Sequence, residues 1–190
     1  GADFETLGSA LEECARYTSG KSGCRITVNI ETGTVMTEQV LIDGIDLGFV
    51  TLTSTDPSVS VDRNSLTSAS YGLLPFICVD RGGVSPSISV LFAMINYSAG
   101  STVGLMLMSD SRATIVDYGS GFDSFYYGAY VESSNLTSIS RALFRFSEYV
   151  GLYASRSVVS IYSLNCEGTP LFSLYGIIAT KGSNVSVGEA

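Results

Sequence analysis

A short phrase recurs four times in the second half of this chain. It begins at Gly104 ("GLMLMSDSRATIV"), Gly128 ("GAYVESSNLTSIS"), Gly151 ("GLYASRSVVSIYS") and Gly176 ("GIIATKGSNVSV"), so successive copies start 24, 23 and 25 residues apart. A period of this length is the mark of stacked structural units. One residue after each glycine stands Leu105, Ala129, Leu152 or Ile177, and three after stands Leu107, Val131, Ala154 or Ala179. Apolar residues two apart share one face of a strand. A second strand follows in each copy, with expected inward pairs Ala113/Ile115, Thr137/Ile139, Val159/Ile161 and Val185/Val187. The third copy reads one residue shorter before that strand. No unit of this kind buries its apolar face alone. Stacked, the units share a continuous core, with parallel strands about 4.8 Å apart.

The periodicity predicts an all-β fold, a right-handed parallel β-helix with a short N-terminal capping helix. One domain spans 1–190, with the cap in 1–20, coils over 24–190 and the clearest rungs across 104–187. Leucine-rich repeats compete on period, but their Leu-rich consensus is missing; a propeller blade needs about 40 residues. An ordinary β-sandwich accounts for short strands but not for their register. Upstream, "RITVNI", "EQVLIDG", "GFVTLTS" and "SVSVDR" read as strands rich in Val, Ile and Thr. Residues 63–90 are less regular, and "TSASYGLLP" and "DRGGVSPS" read as projecting loops. Residues 3–17 carry Phe4, Leu7, Leu11 and Cys14 on one helical face, with Asp3 as the expected N-cap and Gly8 as the weak point. This helix is expected to plug the first coil and shield its unpaired strand edge. The other end shows no such lid. There the expectation is that the natural chain continues past Ala190 or that other subunits cover the last coil.

Composition removes several functions. Ten Lys and Arg against 18 Asp and Glu give a net charge of −8, the wrong sign for a nucleic-acid backbone. No apolar run approaches the roughly 20 residues of a membrane span. The absence of His removes Ser-His-Asp and Cys-His catalysis. Cys14, Cys24, Cys78 and Cys166 match no metal or redox spacing. They read as small buried hydrophobes, with a Cys14–Cys24 bridge open if the protein works outside a cell. No metal site and no cofactor are expected.

Three sets of residues stand out as candidate sites. Asp110, Asp117, Asp123 and Glu132 lie near the rungs, where two carboxylates about 5–9.5 Å apart would suit a glycosidase. Glu148 and Glu167 are further acids, and Arg112, Arg141, Arg145 and Arg156 are cations that a lyase could use; structural ion pairing is the plainer reading of all of them. The run "GFDSFYYGAY" gathers Phe122, Phe125, Tyr126, Tyr127 and Tyr130. Tyr126 and Tyr127 are candidates for sugar binding, since a phenol joins an apolar ring to a polar tip; stacking between coils competes. Phe144, Phe146 and Tyr149 of "FRFSEY" are assigned to an interior ladder. Finally, the position two after each glycine points outward and holds Met106, Tyr130, Tyr153 and Ile178. This large, mostly apolar stripe marks an interface, with loops at 63–90 folding over it as the rival explanation.

A helix followed by "ITVNIETGTVMTEQVLIDGIDLGFVTLTSTDPSVSVDR" resembles the opening of phage tail-spike and tail-fibre β-helices of the pectate-lyase-like superfamily. The shared features are the "GTV" turn, a strand ending in "IDG", and a strand–turn–strand ending in "VD". The resemblance covers residues 3–62 by motif and the remainder by rung period. It implies a virion component of a phage tail that takes part in host attachment, commonly as a homotrimer, for which the outward stripe read above is the expected contact. The implied partners are further copies of itself, other phage tail proteins and a host-surface glycan or receptor. A polysaccharide-degrading tail spike and an extracellular or cell-surface bacterial adhesin are the alternatives. No catalytic signature of a lyase is recognisable, so the reading leans away from an enzyme.

Overall fold

A computed structural model of the chain describes residues 3–17, 25–96, 100–145, 147, 149–166 and 175–188. After a helix, α1 (Leu7–Ala15), the chain winds into parallel coils of three faces each. The first coil is β1 (Ile26–Ile30), β2 (Val35–Met36) and β3 (Val40–Asp43); the second is β4 (Val50–Ser54), β5 (Val59–Asp62) and β6 (Leu74–Asp80). The third is β7 (Ser87–Ser89), β8 (Leu91–Ile95) and β9 (Thr102–Leu107), and the fourth β10 (Arg112–Ile115), β11 (Ser120–Asp123) and β12 (Tyr127–Glu132). In the fifth and sixth coils one long strand covers the first two faces. These are β13 (Asn135–Arg145) before β14 (Val150–Ser155), and β15 (Val158–Asn165) before β16 (Tyr175–Thr180); β17 (Asn184–Val187) opens a seventh. Because β13 pairs with both β10 and β11, the first two faces form one 11-stranded sheet, and the third face is a separate 6-stranded sheet. This is a parallel β-helix with an N-terminal cap, as the repeat predicts.

The first three recurring glycines do not turn the chain; they make room inside it, whereas a Cβ on Gly176 would meet only Cys166 Cβ at an ordinary 3.5 Å. Phe92, Phe122 and Phe144 pair in register on the second face and stack as a buried ladder, with ring centroids 5.8 and 6.4 Å apart. Gly104 and Gly128 lie inside strands of the third face, against the ring of the following coil. A Cβ on Gly104 would stand 2.5 Å from Cγ of Phe122, and one on Gly128 would stand 2.7 Å from Cβ of Phe144. In the second coil Phe76 occupies the same column and puts its own ring inward, edge-on to Phe92 at 4.9 Å. From the second to the fifth coil each level contributes one ring to this ladder, with Phe125 a further interior ring edge-on to Phe122 at 5.9 Å. Gly104, Gly128 and Gly151 stand on the levels where the ladder ring comes from the second face.

One expected register is wrong. Leu136 and Ser138 face inward in β13, whereas Thr137 is exposed and Ile139 is 64% exposed. The corners explain the slip. The chain leaves the third face through left-handed residues: Ser109 and Asp110 together, Ser133 alone, Arg156 alone, then Lys181 with Gly182. Both the second and the third copies therefore have the shorter corner, and a shift of one residue exchanges inside for outside. Residues 63–90 are also more regular than expected, because β6 and β7 lie within them. Pro75 obscured β6 in the sequence.

The helix starts later than expected. Thr6, not Asp3, is its N-cap, accepting from the Ser9 N–H at 3.0 Å. The first-coil residue Glu38 adds a second cap, accepting from the N–H of Leu7 at 2.5 Å and of Gly8 at 3.2 Å. Gly8 weakens the helix in isolation, but a Cβ there would lie 2.9 Å from the Glu38 carboxylate. Leu7, Ala10, Leu11 and Cys14 are buried against the first coil, while Phe4 remains 44% exposed and is not part of the plug. Cys14 is a free thiol; Cys24 lies outside the described residues. At the other end the inner positions are open: Ile177 is 39% and Val187 43% exposed, against 0% for Leu152 and 2% for Ile161 one coil earlier.

Candidate functional site

The outer surface of the third face is where the chain departs from an ordinary wet strand surface. Its outward column runs in register through Leu41, Cys78, Met106, Tyr130, Tyr153 and Ile178. Over the second and third coils this column is covered from within the chain. The segment after β5 forms a small antiparallel bridge between Ser70 and Leu73. Leu73 then packs on an outer cluster of Cys78, Val103, Met106 and Met108. Gln39 holds the segment down, donating to the Ser68 and Pro75 carbonyls and accepting from the N–H groups of Thr67 and Ser68. Met106 is therefore fully buried and does not reach solvent. The overlying loop proposed as the rival explanation applies to this half of the stripe.

Beyond Met106 the column becomes aromatic. Tyr126 stacks on Tyr149 of the next coil at 5.2 Å and 10°, and Tyr130 stacks on Tyr153 at 4.7 Å and 13°. Tyr127 stands edge-on between these stacks, 5.1–6.2 Å from Tyr126, Tyr130, Tyr149 and Tyr153. Tyr175 extends the cluster from Tyr149 at 5.9 Å and is 51% exposed; the other five are half-buried. The structure thus brings the two expected sugar-binding residues, Tyr126 and Tyr127, together with two stripe residues, Tyr130 and Tyr153. Tyr149 belongs to this outer cluster, not to the interior ladder. Phe122, Phe125 and Phe144 are interior, and the side chain of Phe146 lies outside the described residues. Tyr149 and Tyr175 were missed as site residues. The signal for Tyr149 was its separation from Tyr126, one rung, the same as that between Tyr130 and Tyr153.

The stacking decides what this surface presents. Rings stacked along the coil axis spend their faces on each other. Edges and hydroxyls remain for a ligand. The Tyr130 hydroxyl donates to Glu132 Oε2 at 3.3 Å, and the Tyr153 hydroxyl shares a hydrogen with Thr180 Oγ1 at 3.4 Å. Burial, reinforced by the charge of Glu132, pushes the Tyr130 phenol up to about 12, and burial also raises Tyr127. Both phenols stay protonated at neutral pH.

Two ion pairs frame the cluster, each joining a fourth-coil acid to a fifth-coil arginine. Arg156 Nη2 lies 2.6 Å from Glu132 Oε1, and Arg145 Nε lies 2.8 Å from Asp123 Oδ2. Asp123 also accepts from Ser124 Oγ at 2.7 Å and is largely buried, while Glu132 and Arg156 keep 22% and 57% of their side-chain surfaces exposed. Asp117 sits at the corner between the first two faces and accepts from Ser89 Oγ. Asp110 is exposed at the corner after the third face, its N–H bonded to the Ser133 carbonyl of the next coil. Asp117 and Asp123 therefore lie at opposite ends of the second face, while Asp110 and Glu132 share a corner. Arg141 donates to the Tyr118 hydroxyl at 2.7 Å and lies over its ring. Glu148 and Glu167 lie outside the described residues.

Among the described residues no three His, Cys, Asp or Glu side chains come together in a way that would hold a metal. Burial raises the thiols of Cys14 and Cys78 and pushes Cys166 up to about 12, which disfavours the nucleophilic thiolate. No described helix is long and apolar enough to cross a membrane. Comparison with known proteins matches no family model, no curated protein and no solved structure.

Proposed function

We propose that this chain is a non-catalytic β-helix module of a phage tail fibre or tail spike, which binds a host-surface glycan along the outer edge of its third face. The observation that carries the reading is the six-tyrosine cluster on an otherwise strand-like outer surface, with hydroxyls, a carboxylate and a guanidinium at its rim. Aromatic groups combined with polar tips are what sugar recognition uses. The reading leans away from hydrolysis because three of the four candidate acids are engaged: Asp123 by Arg145, Glu132 by Arg156 and Tyr130, and Asp117 by Ser89. In the virion such a module would join other tail proteins.

Self-association is the second reading, favoured by one observation: the tyrosines continue into partly exposed apolar surface at Tyr175 and Ile178. Three copies could meet there around a three-fold axis, with Tyr130, Tyr153 and Ile178 in contact and Met106 excluded by its burial. The two uses compete for one surface. Sedimentation equilibrium with and without host polysaccharide, on wild type and Tyr130→Glu/Tyr153→Glu, separates them. The glycan reading expects polysaccharide binding that the double variant abolishes while the oligomeric state stays the same. A trimer of the 20.1 kDa chain that the double variant dissociates assigns the surface to self-association. Polysaccharide binding and an oligomeric state both unaffected by the substitutions remove the cluster from either role.

A further inference from the structure

The corner at which Tyr130 and Tyr153 end gathers Glu132, Arg156 and Thr180. Each oxygen of the Glu132 carboxylate has one hydrogen bond, to Arg156 and to the Tyr130 hydroxyl. An ionised carboxylate accepts about four, and a guanidinium donates five, so both groups have capacity left. That pairs a fixed acceptor with a fixed donor on one exposed edge, two fixed hydrogen-bonding groups side by side. Two adjacent sugar hydroxyls fit this arrangement, one donating to Glu132 and the other accepting from Arg156.

The charge of the corner is as informative as its geometry. The corner sets Asp110 and Glu132 against Arg156 and Lys181, with Arg156 2.6 Å from Glu132, so its charges balance and it offers no net positive charge to an anionic sugar. The chain as a whole carries −8, which repels a polyanion at long range. Tyr130 is also held in its neutral, donating form.

We infer that Glu132 and Arg156 form a diol clamp, and that the glycan recognised by the third face is uncharged in the unit it presents there. This rests on the glycan-binding reading above. The clamp is positioned by the tyrosines: Tyr130 orients the carboxylate, and the Tyr153 hydroxyl closes the side toward Thr180.

The test is retention on a panel of immobilised bacterial polysaccharides sorted into neutral, acidic and amino-sugar classes, repeated at low and high salt. Wild type, Glu132→Gln, Arg156→Met and the first-face control Thr137→Ala are compared, with melting temperatures confirming that each is folded. The expected result is retention on neutral members, insensitive to salt, weakened about tenfold or more by either clamp substitution and unchanged in the control, since hydrogen bonds to charged groups are the strong ones. Retention on acidic or amino-sugar members that falls with salt overturns the uncharged-ligand inference and leaves glycan binding standing. Neutral retention that survives both substitutions overturns the clamp. Retention on no member of the panel overturns the glycan reading itself, and the clamp with it.

Discussion

The outward columns of the first and third faces run the length of the same helix and share almost nothing. On the first face the column is Thr27, Thr51, Ser87, Thr114, Thr137, Ser160 and Ser186, a hydroxyl on every rung. On the third it is Leu41, Cys78, Met106, Tyr130, Tyr153 and Ile178. The inner columns of both faces are alike, mostly aliphatic and buried until the last coil, with Ser138 a polar exception on the first face. Coil geometry dictates the inside and leaves the outside free. Thr and Ser are what a solvated strand surface takes when only strand propensity and solubility act on it. Departure from that on the third face is an exposed aromatic patch, and such patches mark contact surfaces. The first face is the molecule's own baseline for reading the third.

The sharpest way to break this comparison is to place one charge on each side of the wall. Val131 is fully buried on the third face; Thr137 is exposed on the first. Val131→Asp puts an unpaired carboxylate in an aliphatic interior, at a cost comparable to the ~5–15 kcal/mol stability of a typical domain. Insoluble protein or loss of a cooperative thermal transition is expected. Thr137→Asp should shift stability by no more than about 0.5 kcal/mol. Equal melting temperatures for both would mean that inside and outside are misassigned.

A smaller effect tests the glycine–phenylalanine fit. All three atoms closest to a Cβ on Gly104 belong to the Phe122 side chain. Gly104→Ala is expected to cost about 1–3 kcal/mol through overpacking, and markedly less when Phe122→Leu is already present. Denaturant unfolding of the four proteins in the cycle measures the coupling. Strict additivity would separate the glycine from the ring ladder. On the first face, Thr114→Val should be close to neutral, because no interior atom depends on it.

The fold was legible because a β-helix repeats its inner demands at every rung. Leu105, Ala129 and Leu152 announce one column, and the glycines announce another. Legibility failed where a rung departs by one residue or by one odd side chain. The lone corner residue Ser133 shifted Thr137 and Ile139 outward, and Pro75 masked β6. The glycines were visible, but their reason was not, since the rings they accommodate lie in the following coil and on another face. The tyrosine cluster was half legible. "GFDSFYYGAY" and the stripe were separate readings because sequence proximity and rung spacing are different signals, and only the stacked coils bring Tyr126 and Tyr130 to Tyr149 and Tyr153. The Glu132–Arg156 pair depends on the corner register and could not be singled out from the other acids and arginines.

The smallest expected effect is a pH dependence that belongs to the third face alone, since the first-face column contains no titratable group. The Tyr130 phenol is raised from 10.0 to about 12 by burial, then by the Glu132 charge and the neighbouring tyrosines. A folded value above the unfolded one means that the neutral phenol is the favoured form in the fold. Its contribution is fully present below pH 10, and it is lost as pH rises toward the folded value near 12. Tyr130→Phe removes the titrating group and the hydrogen bond to Glu132. Near neutral pH the variant should be less stable than wild type by roughly 0.5 kcal/mol, the low end for a net hydrogen bond at a half-exposed site. Between pH 10 and 12 the gap should close and then reverse, as wild type must ionise a phenol beside a carboxylate or unfold to do so. Denaturant unfolding of both proteins across this range reads the difference directly, and the shared repulsion of a −8 chain cancels between them. A gap that stays constant with pH would place the Tyr130 hydroxyl in open water, away from Glu132.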